Sequence, residues 1–138
     1  MLPLQSILRI ISIYGYCKGM IQNILLVALG GAVGSVCRYL LSGMNSTSYP
    51  WGTFVVNILG SLLIGLLVGL VNRGSLSPEM KLMLVTGFCG GFTTFSTFAN
   101  ESFGMMKAGD VLLSALYIGA SVIVGVLAVW AGMKLSGG

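Results

Sequence analysis

The sequence predicts an all-α membrane protein with four transmembrane helices, the third of them broken, and three observations carry that prediction. Of its 138 residues, 56% are hydrophobic and only 7% charged, with seven Lys or Arg, three Asp or Glu and no His. A soluble domain holds about 25% charged residues to keep its surface solvated, so this chain would have an apolar exterior in water. The charges also fall singly between four long apolar stretches, each close to the roughly 20 residues that a helix needs to cross a hydrocarbon core. Finally, the third stretch carries a run of glycines and hydroxyls that a continuous helix does not favour.

Residues 1–19, MLPLQSILRIISIYGYCKG, are too short to span and lack a small-residue cleavage site. They read as an extension ahead of a natural start at Met20, or as a segment lying on the membrane surface, with residues 20–138 forming one four-span domain. The first span covers 21–41, with Arg38 near its end, and a polar, turn-like connection over 42–50 leads to Pro50 and Trp51. The second covers 51–71, and a connection at 72–81 holds Gly74, Ser75 and Pro78. The third covers 82–106, a tight charged turn follows at 107–110, and the fourth, 111–133, has no charge at all. No internal repeat or low-complexity segment divides the chain.

An even number of spans puts the N-terminus, the second connection and the C-terminus on one side, with Arg73, Lys81 and Lys134 if the chain is counted from Met20. Arg38 and Lys107 fall on the other. That positive-inside bias is feeble. It permits insertion in both orientations, and hence an antiparallel dimer, as well as ordinary insertion with the N-terminus inside.

The same sparseness excludes function classes. Scattered cations form no patch for nucleic acid. With no His, and with Glu79, Glu101 and Asp110 far apart in the chain, neither a carboxylate cage for a metal nor the commonest general base is available, so no enzyme is expected. Cys17, Cys37 and Cys89 lack C-x-x-C spacing and read as small hydrophobes.

Small residues recur four apart at Gly30 and Gly34, at Ser61, Gly65 and Gly69, and at Ser121 and Gly125. In lipid, helices associate by van der Waals packing, and such faces let backbones approach. Within the third span, residues 87–98 read G-F-C-G-G-F-T-T-F-S-T-F. Gly90 and Gly91 lower helix propensity, and Thr93, Thr94, Ser96 and Thr97 compete for backbone hydrogen bonds. A break is therefore expected here. Unwound backbone survives at membrane depth only where it is buried in protein or lines a cavity.

At this segment the chain closely resembles the Fluc (CrcB) family of small bacterial fluoride channels. Gly30-Gly31-Ala32-Val33-Gly34 with Arg38-Tyr39, Gly52-Thr53-Phe54-Val55-Val56-Asn57 with Gly60, and residues 87–98 occur in the family's order and spacing. The resemblance runs from Met20 to the C-terminus. It implies a passive fluoride-selective channel that exports fluoride from the bacterial cytoplasm across the inner membrane and so lowers its toxicity. It further implies an antiparallel, dual-topology homodimer with two pores, and a structural sodium ion held by main-chain carbonyls, here those of Gly90 and Thr93 of each subunit.

The pore residues implied are Asn57, Ser96 and Thr97 as amide and hydroxyl donors, Tyr117 and Ser121 as a polar track on the fourth helix, and Phe95 and Phe98 as paired phenylalanines. The next position of that track, Gly125, has no side-chain donor. Aromatic edges are electropositive and can stabilise an anion weakly. Arg38 matches a first-span arginine that draws anions toward a vestibule, or snorkels to the interface. Glu101 matches a third-span glutamate whose role the sequence leaves open. Two rivals are a small four-span proton-coupled multidrug exporter, which requires a first-span carboxylate that 21–41 lacks, and a non-transporting scaffold subunit, which requires no broken third helix.

Overall fold

A computed structural model describes residues 4–43, 45 and 49–137. Residues 44 and 46–48 of the first connection lie outside the described residues, as do 1–3 and 138. Helix α1 spans Leu4–Ser42, α2 spans Trp51–Asn72, α3 occupies residues 78–92, α4 spans Phe95–Lys107 and α5 spans Val111–Leu135. Four stretches are long and apolar enough to cross a membrane: Cys17–Ser42, Trp51–Asn72, Pro78–Lys107 and Val111–Leu135. The third crossing is therefore α3 and α4 together.

Helix α1 extends well ahead of the predicted first span, running from Leu4 without interruption. Its first half holds Gly15 and Gly19 but no Pro and no cluster of turn residues. Two glycines cost about 1 kcal/mol each relative to Ala, which does not end a helix between good formers. Helix α2 begins after Pro50 and closes at Arg73 and Gly74, whose φ of 70° lets the chain turn away. Arg73 Nη1 donates to the Ser136 carbonyl at 2.6 Å, tying the end of α2 to the end of α5.

Helix α3 starts with Ser77, whose hydroxyl accepts from the Met80 N–H at 3.3 Å, and with Pro78 in its first turn. Over Leu82–Cys89 it winds as a π-helix before a last α-helical turn at Gly90–Phe92. Helix α4 ends at Lys107, and Gly109, with φ of 92°, makes the turn into α5.

The main packing pairs are α2 with α5 and α1 with α3. The small-residue faces predicted from sequence lie in these seams. A Cβ on Gly34 would fall 2.9 Å from the Phe92 nitrogen and closer still to the Phe88 carbonyl, while one on Gly132 would fall 2.7 Å from the Leu66 nitrogen. Backbone meets backbone there, where dispersion is strongest for helices without a hydrophobic driving force. The apolar exterior is equally evident: Ile24, Leu25, Leu29 and Val33 on α1 and Leu112, Leu116, Ile123 and Trp130 on α5 are all exposed.

Candidate functional site at the break in the third span

The third span breaks at Thr93 and Thr94 rather than at the glycines. Gly90 is helical, whereas Thr93 (φ −80°, ψ 158°) and Thr94 (φ −148°, ψ 114°) are extended. The hydroxyls explain the position. Thr93 Oγ1 donates to the Cys89 carbonyl at 2.9 Å, closing α3. Thr94 Oγ1 accepts from the Thr97 N–H at 3.3 Å and donates to Thr97 Oγ1 at 3.0 Å, capping α4. Gly91 serves a different need, because a Cβ there would fall 3.0 Å from Gly31 Cα. It lets α3 approach α1.

A break in an apolar helix strands backbone groups that lipid cannot satisfy. Asn57, reaching from α2, meets two of them: its Oδ1 accepts from the Thr94 N–H at 2.9 Å and its Nδ2 donates to the Thr94 carbonyl at 3.2 Å. On the opposite side, α1 supplies donors to the Gly91 carbonyl, with Arg38 Nε at 3.0 Å and Ser35 Oγ at 3.4 Å.

Beside the break lies an open groove of about 280 Å³, lined by Asn57, Ser61 and Ile64 of α2, by Thr93, Thr94, Phe95 and Phe98, and by Ser121 and Val122 of α5. The Phe95 and Phe98 rings stand 6.0 Å apart at 47°, and Phe95 is 80% exposed. Ser121 Oγ is buried from solvent yet has no hydrogen-bond partner among the described residues. The groove wall thus carries amide, hydroxyl and aromatic groups and no charge.

One turn past Phe98 is a second polar group. Glu101 Oε1 accepts from Thr53 Oγ1 at 2.7 Å and from Asn45 Nδ2 at 2.9 Å, and its Oε2 accepts from the Tyr117 hydroxyl at 3.0 Å. Tyr117 is wholly buried, its ring 5.1 Å from Phe98 and 5.4 Å from Tyr49. Burial pushes the Tyr49 phenol up, so it stays uncharged on this wall.

Of the residues singled out from sequence, Asn57, Thr93, Phe95, Phe98 and Ser121 line the groove. Ser96 is exposed on α4, Thr97 is held by Thr94, and Tyr117 is directed to Glu101. Arg38 sits behind the break and Gly90 is exposed on its far side. Sequence reading passed over Asn45, Thr53 and Ser61 as site residues. Ser61 was legible, being four residues from Asn57 on one helix face; Asn45 was not, because nothing in its polar loop points to a carboxylate 56 positions away.

Comparison with known proteins gives one family. The sequence model described as "CrcB-like protein, Camphor Resistance (CrcB)" matches residues 25–133. The chain is 47% identical over 119 residues to a protein of Phocaeicola vulgatus, covering 83% of this chain and 98% of that one. It is 52% identical over 118 residues to one of Agrobacterium fabrum, covering 82% and 94%. It is 44% identical over 120 residues to one of Flavobacterium psychrophilum, covering 83% and 97%. Each of the three is named a fluoride-specific ion channel, FluC.

Proposed function

The chain belongs to the CrcB-like family, and we propose that it is a passive, fluoride-selective channel through which fluoride leaves the cytoplasm, lowering its toxicity. The groove beside the break carries this reading: it offers donors to an anion at membrane depth without a fixed cation to trap it. Fluoride is small and strongly hydrated, so its water must be replaced by groups that bind it briefly. Ser121 has an unspent hydroxyl, and Asn57 keeps one amide hydrogen after serving Thr94. The Phe95 and Phe98 edges add weak electropositive contact. Among the described residues Arg38 spends Nε alone, on Gly91, which leaves its remaining N–H groups to attract anions from the end of α1.

The conducting form in this reading is an antiparallel homodimer, inserted in both orientations in the bacterial inner membrane. A groove open along one side, with Phe95 mostly exposed, is half of a pore wall. A second copy supplies the other half, and the three-against-two charge balance counted from Met20 allows the required orientation. Gly90 and Thr93 fit a sodium site at the centre of such a dimer. The Thr94 N–H that would bond the Gly90 carbonyl in a continuous helix goes to Asn57 instead, and a Cβ on Gly90 would meet nothing within 4 Å. Main-chain oxygens suit a hard monovalent cation, which would hold the two breaks together. Sites on Ser96 and Thr97 belong to the same reading, with Ser96 reaching the pore from the exposed face of α4. A proton-coupled multidrug exporter is not favoured, since residues 21–41 contain no carboxylate.

Purified protein reconstituted in liposomes, followed with a fluoride-selective electrode and with chloride as control, tests the function. Rapid fluoride efflux with little chloride efflux is expected. Well-folded protein that passes no fluoride overturns the reading, and equal chloride flux overturns its selectivity.

A further inference from the structure

The connection between α1 and α2 reaches the polar cluster around Glu101, midway along α4, through Asn45. Asn45 Oδ1 accepts from the Thr53 N–H at 3.1 Å, in the first turn of α2. Its Nδ2 donates to Thr53 Oγ1 at 3.3 Å and to Glu101 Oε1 at 2.9 Å. A carboxamide has two N–H donors and one carbonyl oxygen, so both donors and one acceptor site are engaged. Thr53 Oγ1 passes the connection on, donating to the same Glu101 oxygen at 2.7 Å. Asn45 is nevertheless exposed. A side chain that is wet on one side and bonded to an intramembrane acid on the other is placed to control that acid.

We propose that Asn45 is a positioning residue for Glu101, latching the carboxylate against α2 and Tyr117 and away from the path that an anion takes past Phe98. This inference rests on the channel reading above. Among the described residues, the groups bonded to Glu101 are Asn45 from the connection, Thr53 from α2 and Tyr117 from α5, all of them neutral donors. With no cation among them, the carboxylate's orientation depends on donor geometry. Loss of the Asn45 donor leaves Oε1 one partner short, and the side chain turns to find another. A freed carboxylate beside Phe98 repels fluoride. The donors themselves are of the kind an anion would use, so the latch also sets which of them are already occupied.

Fluoride efflux from liposomes, with each variant checked for monodispersity, tests the latch. Asn45→Ala should slow efflux several-fold, and Asn45→Asp should slow it at least tenfold at neutral pH, because two carboxylates then face each other. In a Glu101→Gln background the Gln amide can donate to the introduced carboxylate, so Asn45→Asp should there cost twofold or less. Two facing carboxylates share a proton when the pH falls, so Asn45→Asp, unlike Asn45→Ala, should regain flux in mildly acid buffer. Equal slowing by Asn45→Asp in both backgrounds overturns the latch. If Glu101→Gln alone abolishes flux, the pH comparison decides, and parallel profiles for the Ala and Asp variants overturn it. Wild-type flux in both Asn45 variants overturns it too, whereas wild-type protein without fluoride flux instead refutes the channel reading beneath.

Discussion

Replacing Asn57 with Ala removes a side chain that satisfies two backbone groups at once. In the structure, the Thr94 N–H and C=O depend on it at 2.9 and 3.2 Å. A buried polar group left without its partner costs about 1–3 kcal/mol, so the pair is worth about 2–6 kcal/mol, toward the lower end where groove water reaches Thr94. A change of about 2–3 kcal/mol corresponds to a midpoint drop on the order of 10 °C for a chain of this size. Thermal unfolding in detergent, followed by the monodisperse fraction, should show that drop, and the same protein in liposomes should lose most of its fluoride efflux. An unchanged midpoint together with lost flux would mean that Asn57 serves the ion and not the break. That outcome would refute the clamp, as would full stability with full flux.

Ser121→Ala gives the complementary case: its Oγ has no partner to lose, so stability should stay within about 0.5 kcal/mol while fluoride efflux falls, and unchanged efflux would remove Ser121 from the pore. Phe98→Ile should cut flux strongly and leave the oligomeric state unchanged by size-exclusion chromatography, since an aliphatic side chain has no electropositive edge. Gly34→Ala drives a methyl to within 2.9 Å of the Phe92 nitrogen, and overpacking against rigid backbone should lower stability by about 1–3 kcal/mol in the same thermal assay.

Much of this architecture was legible because lipid imposes simple rules. Span lengths, the apolar exterior and the small-residue seams at Gly30, Gly34 and Gly65 follow from hydropathy and spacing alone. The broken third helix was legible too, and within 87–98, but whether its glycines or its threonines would break it was not. Gly90 and Gly91 read as helix breakers by propensity, yet a glycine in a helix costs only about 1 kcal/mol, and the close approach of Gly91 to Gly31 offsets that loss. Thr93 and Thr94 break the helix because partners from elsewhere, Asn57 above all, accept the liberated groups. Such partners are long-range and leave no local pattern. The same holds for Glu101, whose donors come from a loop, from α2 and from α5.

The chain's few polar side chains can be understood from what the break demands. Ending α3 at Phe92 and restarting at Phe95 leaves the Gly90, Gly91 and Phe92 carbonyls without helical donors and the first N–H groups of α4 without helical acceptors. Each side needs partners of opposite kind. Donors for the carbonyl side come from α1, as Arg38 and Ser35 on Gly91, while Asn57 and the Thr94 hydroxyl accept from the Thr94 and Thr97 N–H groups. Gly90 lies outside both sets of contacts among the described residues and on the surface, where the proposed dimer would place a second copy. The polar groups that hold one subunit's break open thereby also determine what remains for an ion. Donors are left facing the groove for an anion, and in the proposed dimer the Gly90 carbonyl is left for the proposed sodium ion. Substituting Arg38 should therefore disturb the end of α3 first, through the Gly91 carbonyl, before it affects the groove, where Asn57 holds Thr94 independently.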